Sequence, residues 1–322
     1  FIGSHLARAL VAEGRRVIAI DLHLDRLRHL EEPGRLDLVE GDVVDPRVHE
    51  PAFGAAETVF HLAAAHLGAS LGDDEFWRVN VRGLRTLIES ARVARVRRFV
   101  HCSSVGVYGD LRETPADEDS ECRPQIAYEI TKLEGEKVVQ EAIRDGFPAV
   151  ILRPAWVYGP GCPRTEKLFR TIGKGRFLVA GKGDSLRHCV YIDDMTAAFR
   201  LAAVAERALG QVIVIGDAEP VTIRRLVDTI AKLTGAPRPR SIPLPLVWAA
   251  GLALETLFAA FGKEPPVSRR TLKFFTGNTA FRIDRARDLL GWEPRWDLAT
   301  GMAETHQALQ GARPWRISPV PS

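Results

Sequence analysis

The sequence predicts an α/β fold: a parallel sheet covered by helices on both faces, followed by a smaller and mostly helical part. Three observations predict it. Short apolar runs that read as buried parallel strands alternate with segments of helical period through the first half of the chain. Several runs end in an acid, a serine or small residues, at the carboxyl ends where open parallel sheets collect ligands. Past residue 158 the alternation gives way to glycine-rich turns and further helices.

Ile2, Leu6, Ala9 and Leu10 recur at helical spacing, and Gly14 closes that helix. Residues 16–21, an apolar run ending in Asp21, form the first strand, and residues 36–42 and 58–63 the next two. A helix over 80–94 keeps Val81, Leu84, Leu87, Ile88 and Ala91 on one side. Residues 98–104 make a strand running into the polar end Ser103-Ser104, residues 128–143 a helix, and residues 149–154 another strand. After Tyr158-Gly159-Pro160-Gly161 come turns around Gly173, Gly175, Gly181 and Gly183, a strand at 211–215, and helices near 223–233, 246–261, 284–290 and 298–309. The expected domains are residues 1–158 and 159–322, with some segments of the second returning to the sheet. The tail beyond Ala312, with Pro314, Pro319 and Pro321, is expected to fray.

The 322 residues are 46% hydrophobic and 26% charged, which suits a globular chain long enough to bury a large core. A net charge of +3 with no aromatic-basic stripe argues against a nucleic-acid partner. Cys102, Cys122, Cys162 and Cys189 are scattered, with neither a C-x-x-C pair nor zinc spacing. No disulfide framework and no metal site is expected, and a reducing cytoplasm fits best. Residues 245–261 are strongly apolar yet too short for a membrane span. A helix walling a substrate pocket is the plainer reading, and contact with a membrane surface is the other.

Tyr128-Glu129-Ile130-Thr131-Lys132 carries the chemistry. Side chains four apart on a helix share a face, so the Lys132 ammonium is expected near the Tyr128 phenol, lowering its pKa from the usual value of about 10. A tyrosine tuned in this way takes a proton from an alcohol or gives one to a ketone. Ser104, one element upstream, is placed to hydrogen-bond the same substrate oxygen.

Asp21, at the end of the first strand, can accept both hydroxyls of an adenosine ribose and repel a 2′-phosphate, which favours NAD over NADP. A helix-capping aspartate is the competing reading, and Arg15, Arg16 and Arg26 lie near enough in sequence to keep NADP open. Asp42-Val43 ends the second strand and can bracket an adenine, the carboxylate taking the amine and the valine packing the ring. His61-Leu62-Ala63-Ala64 ends the third, where small residues let backbone approach a cofactor.

With these residues in place the chain resembles the extended short-chain dehydrogenases/reductases, the NAD-dependent epimerase/dehydratase and 3β-hydroxysteroid dehydrogenase-like group. Phe1-Ile2-Gly3-Ser4-His5-Leu6 matches the end of that family's Gly-x-x-Gly-Phe-Ile-Gly turn. His61-Leu62-Ala63-Ala64 and Asn80-Val81-Arg82-Gly83 match the next landmarks, and Ser103-Ser104-Val105-Gly106-Val107-Tyr108-Gly109 the serine motif. Tyr128 and Lys132 match the active pair. Leu152-Arg153-Pro154 through Gly161 matches the loop facing the nicotinamide, and Val190-Tyr191-Ile192-Asp193-Asp194 and Leu290-Gly291-Trp292-Glu293-Pro294 later ones.

The resemblance covers nearly the whole chain. It implies a Rossmann-type sheet in the first domain and a substrate-binding second domain, with Ser104, Tyr128 and Lys132 catalytic. It places a nicotinamide cofactor on Phe1, Ile2, Gly3, Leu62, Ala63, Ala64, Asn80, Tyr128, Lys132 and Pro154 beside Asp21, Asp42 and Val43, and it implies a homodimer through the helices after Asn80 and Tyr128. The family's first strand and first two glycines are not in this sequence. The expectation is that the natural protein begins earlier, and that the sequence as given folds and binds dinucleotide poorly, since an exposed internal sheet edge is costly.

For the substrate, the resemblance leaves two enzymatic readings. Arg187 sits where epimerases of the family hold a diphosphate, although a surface or structural arginine is the plain alternative. Trp156 stands where many sugar-nucleotide members have asparagine. With Ile242-Pro243-Leu244-Pro245-Leu246-Val247-Trp248 and Glu264-Pro265-Pro266-Val267-Ser268-Arg269 it points to a greasy pocket and an alicyclic or steroid-like alcohol, unless Trp156 and Trp248 are core residues. A non-catalytic dinucleotide sensor is the third reading, disfavoured by the intact Ser104, Tyr128 and Lys132.

Overall fold

The computed structural model describes residues 1–66, 72–249 and 274–311. In chain order the first half holds α1 (Ile2–Ala12), β1 (Val17–Asp21), β2 (Leu36–Glu40), α2 (Pro46–Phe53), β3 (Thr58–His61) and α3 (Asp73–Trp77). A π-helical turn, Arg78–Gly83, joins α3 to α4 (Leu84–Val93), followed by β4 (Arg98–Cys102), α5 (Ala127–Arg144) and β5 (Ala149–Pro154). The second half holds β6 (Trp156–Tyr158), α6 (Pro163–Gly173), β7 (Leu178–Ala180), β8 (Leu186–Arg187), β9 (Cys189–Tyr191), α7 (Ile192–Val204) and β10 (Val212–Ile215). It closes with β11 (Val221–Thr222), α8 (Ile223–Thr234), β12 (Arg240–Ile242), α9 (Asp284–Leu290) and α10 (Leu298–Leu309).

Four strands pair in the order β10–β5–β4–β3, all parallel. Because successive side chains point to opposite faces, Val100, Cys102, Val150 and Leu152 meet α1, α7 and α9 through Leu6, Met195, Phe199 and Leu290. Phe99, Ala149 and Ile151 meet α4 and α5 on the other face through Leu87, Ile88, Val138 and Val139. This is the two-sided cover that the apolar runs imply. β10 joins the sheet and α7 packs on it although both follow residue 158. The rest of that half builds its own core from α6, α8 and α10 around β7 and β9.

β1 and β2 form a separate parallel pair. Among the described residues no ladder joins β1 to β3, and the facing residues Val17–Asp21 and Thr58–His61 line one continuous cleft. Two unpaired strand edges facing each other leave backbone groups that a strand between them would satisfy. An apolar five-residue strand ending in Gly-x-x-Gly, fused ahead of Phe1, is expected to raise the melting temperature by roughly 5 °C, the shift that about 2 kcal/mol brings in a domain of this size. A scanning-calorimetry trace unchanged by the fusion contradicts the expectation.

Most of the expected helix at 246–261, all of 264–269 and the tail beyond 312 lie outside the described residues. Trp248 is 56% exposed and does not line the cleft, so neither a core nor a pocket-wall role is found for it. No helix among the described residues is long and apolar enough to cross a membrane.

Candidate active site

The cleft occupies about 1870 Å³ and runs along the facing edges of β1 and β3 to the carboxyl ends of β4 and β5. It exceeds the ~300–1,000 Å³ of an ordinary single-ligand pocket because it takes in the gap between β1 and β3. β4 ends at Cys102, where the chain turns. Ser103 N–H still donates to Leu152 O at 2.8 Å, while Ser104 caps the 3₁₀ turn Val105–Tyr108 by accepting from Gly106 N–H at 3.0 Å. This turn presents Ser104 to the cleft, and the first turn of α5 presents Tyr128 opposite it. Ser104 lies near enough to the Tyr128 phenol to lower its pKa, and His66 packs edge-on against the Tyr128 ring at 4.9 Å.

The expectation for Lys132 is corrected. It lines the same cleft four residues along α5, but its buried ammonium donates to the Cys102 carbonyl at 2.6 Å. A buried cation needs an acceptor, and the strand-end carbonyl is the one it reaches. Burial pushes the Tyr128 phenol well above the usual tyrosine range, with Cys102 adding to the rise. The groups that pull it back are the Ser104 hydroxyl and the Arg164 guanidinium. Lys132 is not one of the principal causes.

One more turn along the helix stands Glu136, which the sequence reading missed. Its carboxylate accepts from Arg153 Nε at 2.9 Å and Nη2 at 2.7 Å, and from the Ser103 hydroxyl. Arg153 Nη1 donates in turn to the Tyr108 hydroxyl at 2.8 Å. The Glu136 and Arg153 side chains are 1% and 5% exposed. This brace ties α5, which carries Tyr128 and Lys132, to the ends of β4 and β5. The readable signal was the third member of the series 128, 132, 136, an acid on a helix face that ought to be apolar.

On the cofactor side, α1 begins without a side-chain cap, and Phe1, Ile2, Gly3 and Ser4 line the cleft. Free amides at a helix start suit a pyrophosphate. Asp21, Val43, Leu62, Ala63, Ala64 and Pro154 line it too. Asp21 is exposed, and one carboxylate oxygen accepts from His23 N–H at 3.0 Å. Two assignments are corrected. Asp42 does not line the cleft: Arg78 binds its carboxylate at 2.8 Å and Val44 N–H donates to it at 3.1 Å. Asn80 is buried and also stands behind the wall, accepting from Ala65 N–H at 2.8 Å and donating to Thr131 Oγ1 at 3.1 Å. It positions the 62–65 loop rather than facing the cleft. Gly135 allows this approach, since a Cβ there would fall 2.8 Å from the Asn80 carbonyl oxygen.

The far end of the cleft is walled by Trp156 and Phe274, whose rings meet edge-on at 6.4 Å. Arg187 lines it but donates to the backbone carbonyls of Leu186, Gly277 and Phe274, and its guanidinium lies 4.9 Å from the centre of the Phe274 ring. Burial lowers its pKa to about 10. It therefore clamps the 274–277 segment, the structural alternative to a diphosphate site.

A parallel sheet with helices on both faces, a helix start in its ligand crevice and a tyrosine and a serine facing that crevice at the strand ends define a nucleotide-dependent α/β enzyme class. The model of the NAD dependent epimerase/dehydratase family matches residues 1–216, and the chain belongs to that family. It is 32% identical to a UDP-glucose 4-epimerase of Mycolicibacterium smegmatis over 95% of this chain and 94% of that protein. It is 26% identical to a 2-alkyl-3-oxoalkanoate reductase of Shewanella oneidensis over 96% of this chain and 84% of that one. Among solved structures it superposes on MoeE5 in complex with UDP-glucuronic acid and NAD with a TM-score of 0.77, at 28% identity and 97% coverage of both chains.

Proposed function

We propose that the protein is an NAD-dependent oxidoreductase that moves a hydride between nicotinamide and the secondary alcohol or ketone of an apolar substrate, alicyclic or steroid-like in bulk. The placement of Ser104, Tyr128 and Lys132 in one cleft with the Trp156 wall is the observation that supports it most directly. NAD, when bound, supplies the hydride acceptor or donor. Tyr128 gives the proton to the ketone oxygen, or takes it from the alcohol, and Ser104 donates a hydrogen bond to that same oxygen. Lys132 fixes the strand end behind them and keeps a positive charge at the cleft wall.

Asp21 would hold the adenosine ribose. Arg16 is paired with Asp37 at 3.3 Å and Arg26 donates to Gly161 O at 2.8 Å, which leaves the acid to set the preference for NAD over NADP. Asp21→Ser is expected to weaken NAD by about 10- to 100-fold, the usual cost of a lost charged hydrogen bond, and to bring the two cofactors closer in affinity. Titration of both cofactors against wild type and variant checks this, and an unchanged NAD constant contradicts it.

A sugar-nucleotide epimerase is the second reading, favoured by the similarity to the mycobacterial epimerase. The commitment of Arg187 to backbone carbonyls speaks against it. Incubation with NAD and a panel of apolar secondary alcohols separates the readings. Accumulating reduced nicotinamide supports the dehydrogenase. Conversion of UDP-glucose to its 4-epimer without net reduction supports the epimerase, and silence in both supports a dinucleotide-binding sensor.

A further inference from the structure

Arg164 opens α6 immediately after the Gly159-Pro160-Gly161 loop, with Cys162 and Pro163 before it. A cation in a first helical turn runs against the helix dipole, so its place there is not explained by helix stability. Its guanidinium is exposed to the cleft and lies 6.0 Å from the centre of the Trp156 ring, which gives it an apolar platform. The other described Lys and Arg side chains at this end of the cleft are committed, Lys132 to Cys102 O and Arg187 to the carbonyls of the 274–277 segment. Glu129, an acid in the cleft wall, accepts from Gln125 N–H at 2.9 Å.

We infer that Arg164 is a substrate-binding residue that receives a carboxylate carried close to the reacting carbon, so that the substrate is a 3-hydroxy or 3-oxo acid on an apolar body. This rests on the oxidoreductase reading above. A guanidinium presents a fork of N–H donors that matches a carboxylate. Arg164, Trp156, Ser104 and Tyr128 line the same cleft, so an anion held by the guanidinium shares that cleft with the reacting centre. A sugar nucleotide would put a polar ring between its reacting carbon and its phosphates, against a wall of Trp156 and Phe274 that offers mainly apolar faces. The similarity to a 2-alkyl-3-oxoalkanoate reductase points to the same substrate class.

The test is calorimetric binding of 3-hydroxydodecanoate and of its methyl ester, with and without NAD, to wild type, Arg164→Gln and Arg164→Lys. Wild type is expected to prefer the acid by about 10- to 100-fold, the range for a charge-assisted hydrogen bond. Arg164→Gln should erase the preference by weakening the acid alone, and Arg164→Lys should keep part of it. Equal binding of acid and ester by wild type, or equal weakening of both in Arg164→Gln, overturns the inference. NAD-dependent oxidation of the acid is read separately. If the preference is present and oxidation is absent, the anion site stands and the hydride-transfer reading falls.

Discussion

Tyr128→Phe is expected to lower turnover by about 10²–10⁴-fold, the usual contribution of a positioned general acid or base, with NAD affinity unchanged. Phenylalanine keeps the ring and its contact with His66 but removes the phenol oxygen that faces the cleft beside Ser104. The sign of the pH dependence follows from the direction of the phenol's shift. Burial raises its pKa, so at neutral pH the group holds its proton and is ready to give it to a ketone. Reduction should therefore be fast and level through neutral pH and fall only above the ordinary tyrosine range, while alcohol oxidation should climb with pH as the phenolate fraction grows. Steady-state kcat/KM profiles in both directions check this. Wild-type turnover in the phenylalanine variant, or an oxidation profile that does not climb, would show that another group handles the proton.

Glu136→Ala should cost about 3–5 kcal/mol of stability, because it leaves the Arg153 guanidinium buried without its carboxylate. The Ser103 hydroxyl loses its acceptor at the same time. Activity should fall too, since the brace aligns α5 with the ends of β4 and β5. Urea unfolding read by circular dichroism gives the stability, and Glu136→Gln, which keeps the shape and one acceptor, should fall between wild type and alanine. A midpoint within error of wild type for Glu136→Ala would mean that Arg153 finds another partner at no cost.

The sheet was legible because strands buried on both faces must be apolar throughout, and their ends must turn polar or small where ligands bind. Ser104, Tyr128, Leu62, Ala63 and Ala64 line the cleft for that reason. Side-chain destinations were less legible. Helical spacing puts Lys132 and Tyr128 on one face, but it says nothing of the Cys102 carbonyl brought there by β4, where the ammonium ends. Asp42 lies two residues beyond the end of β2, and Arg78, distant in sequence, takes its carboxylate. Asn80 follows the same logic through Ala65, and Arg187 through residues 274–277. Arg164 had only a weak signal, a basic residue in the first turn of a helix, and its significance appears once Trp156 and Tyr128 are placed around the same cleft.

The central claim is that the carbon–hydrogen bond of a secondary alcohol breaks in this cleft while Tyr128 takes the hydroxyl proton. The most direct measurement supplies NAD and an alcohol deuterated at the carbinol carbon, then weighs the recovered reduced nicotinamide by mass spectrometry. Deuterium on the nicotinamide ring with wild type, and its loss with Tyr128→Phe, is the predicted result. Reduced cofactor without deuterium, or transfer undiminished in the phenylalanine variant, would contradict it.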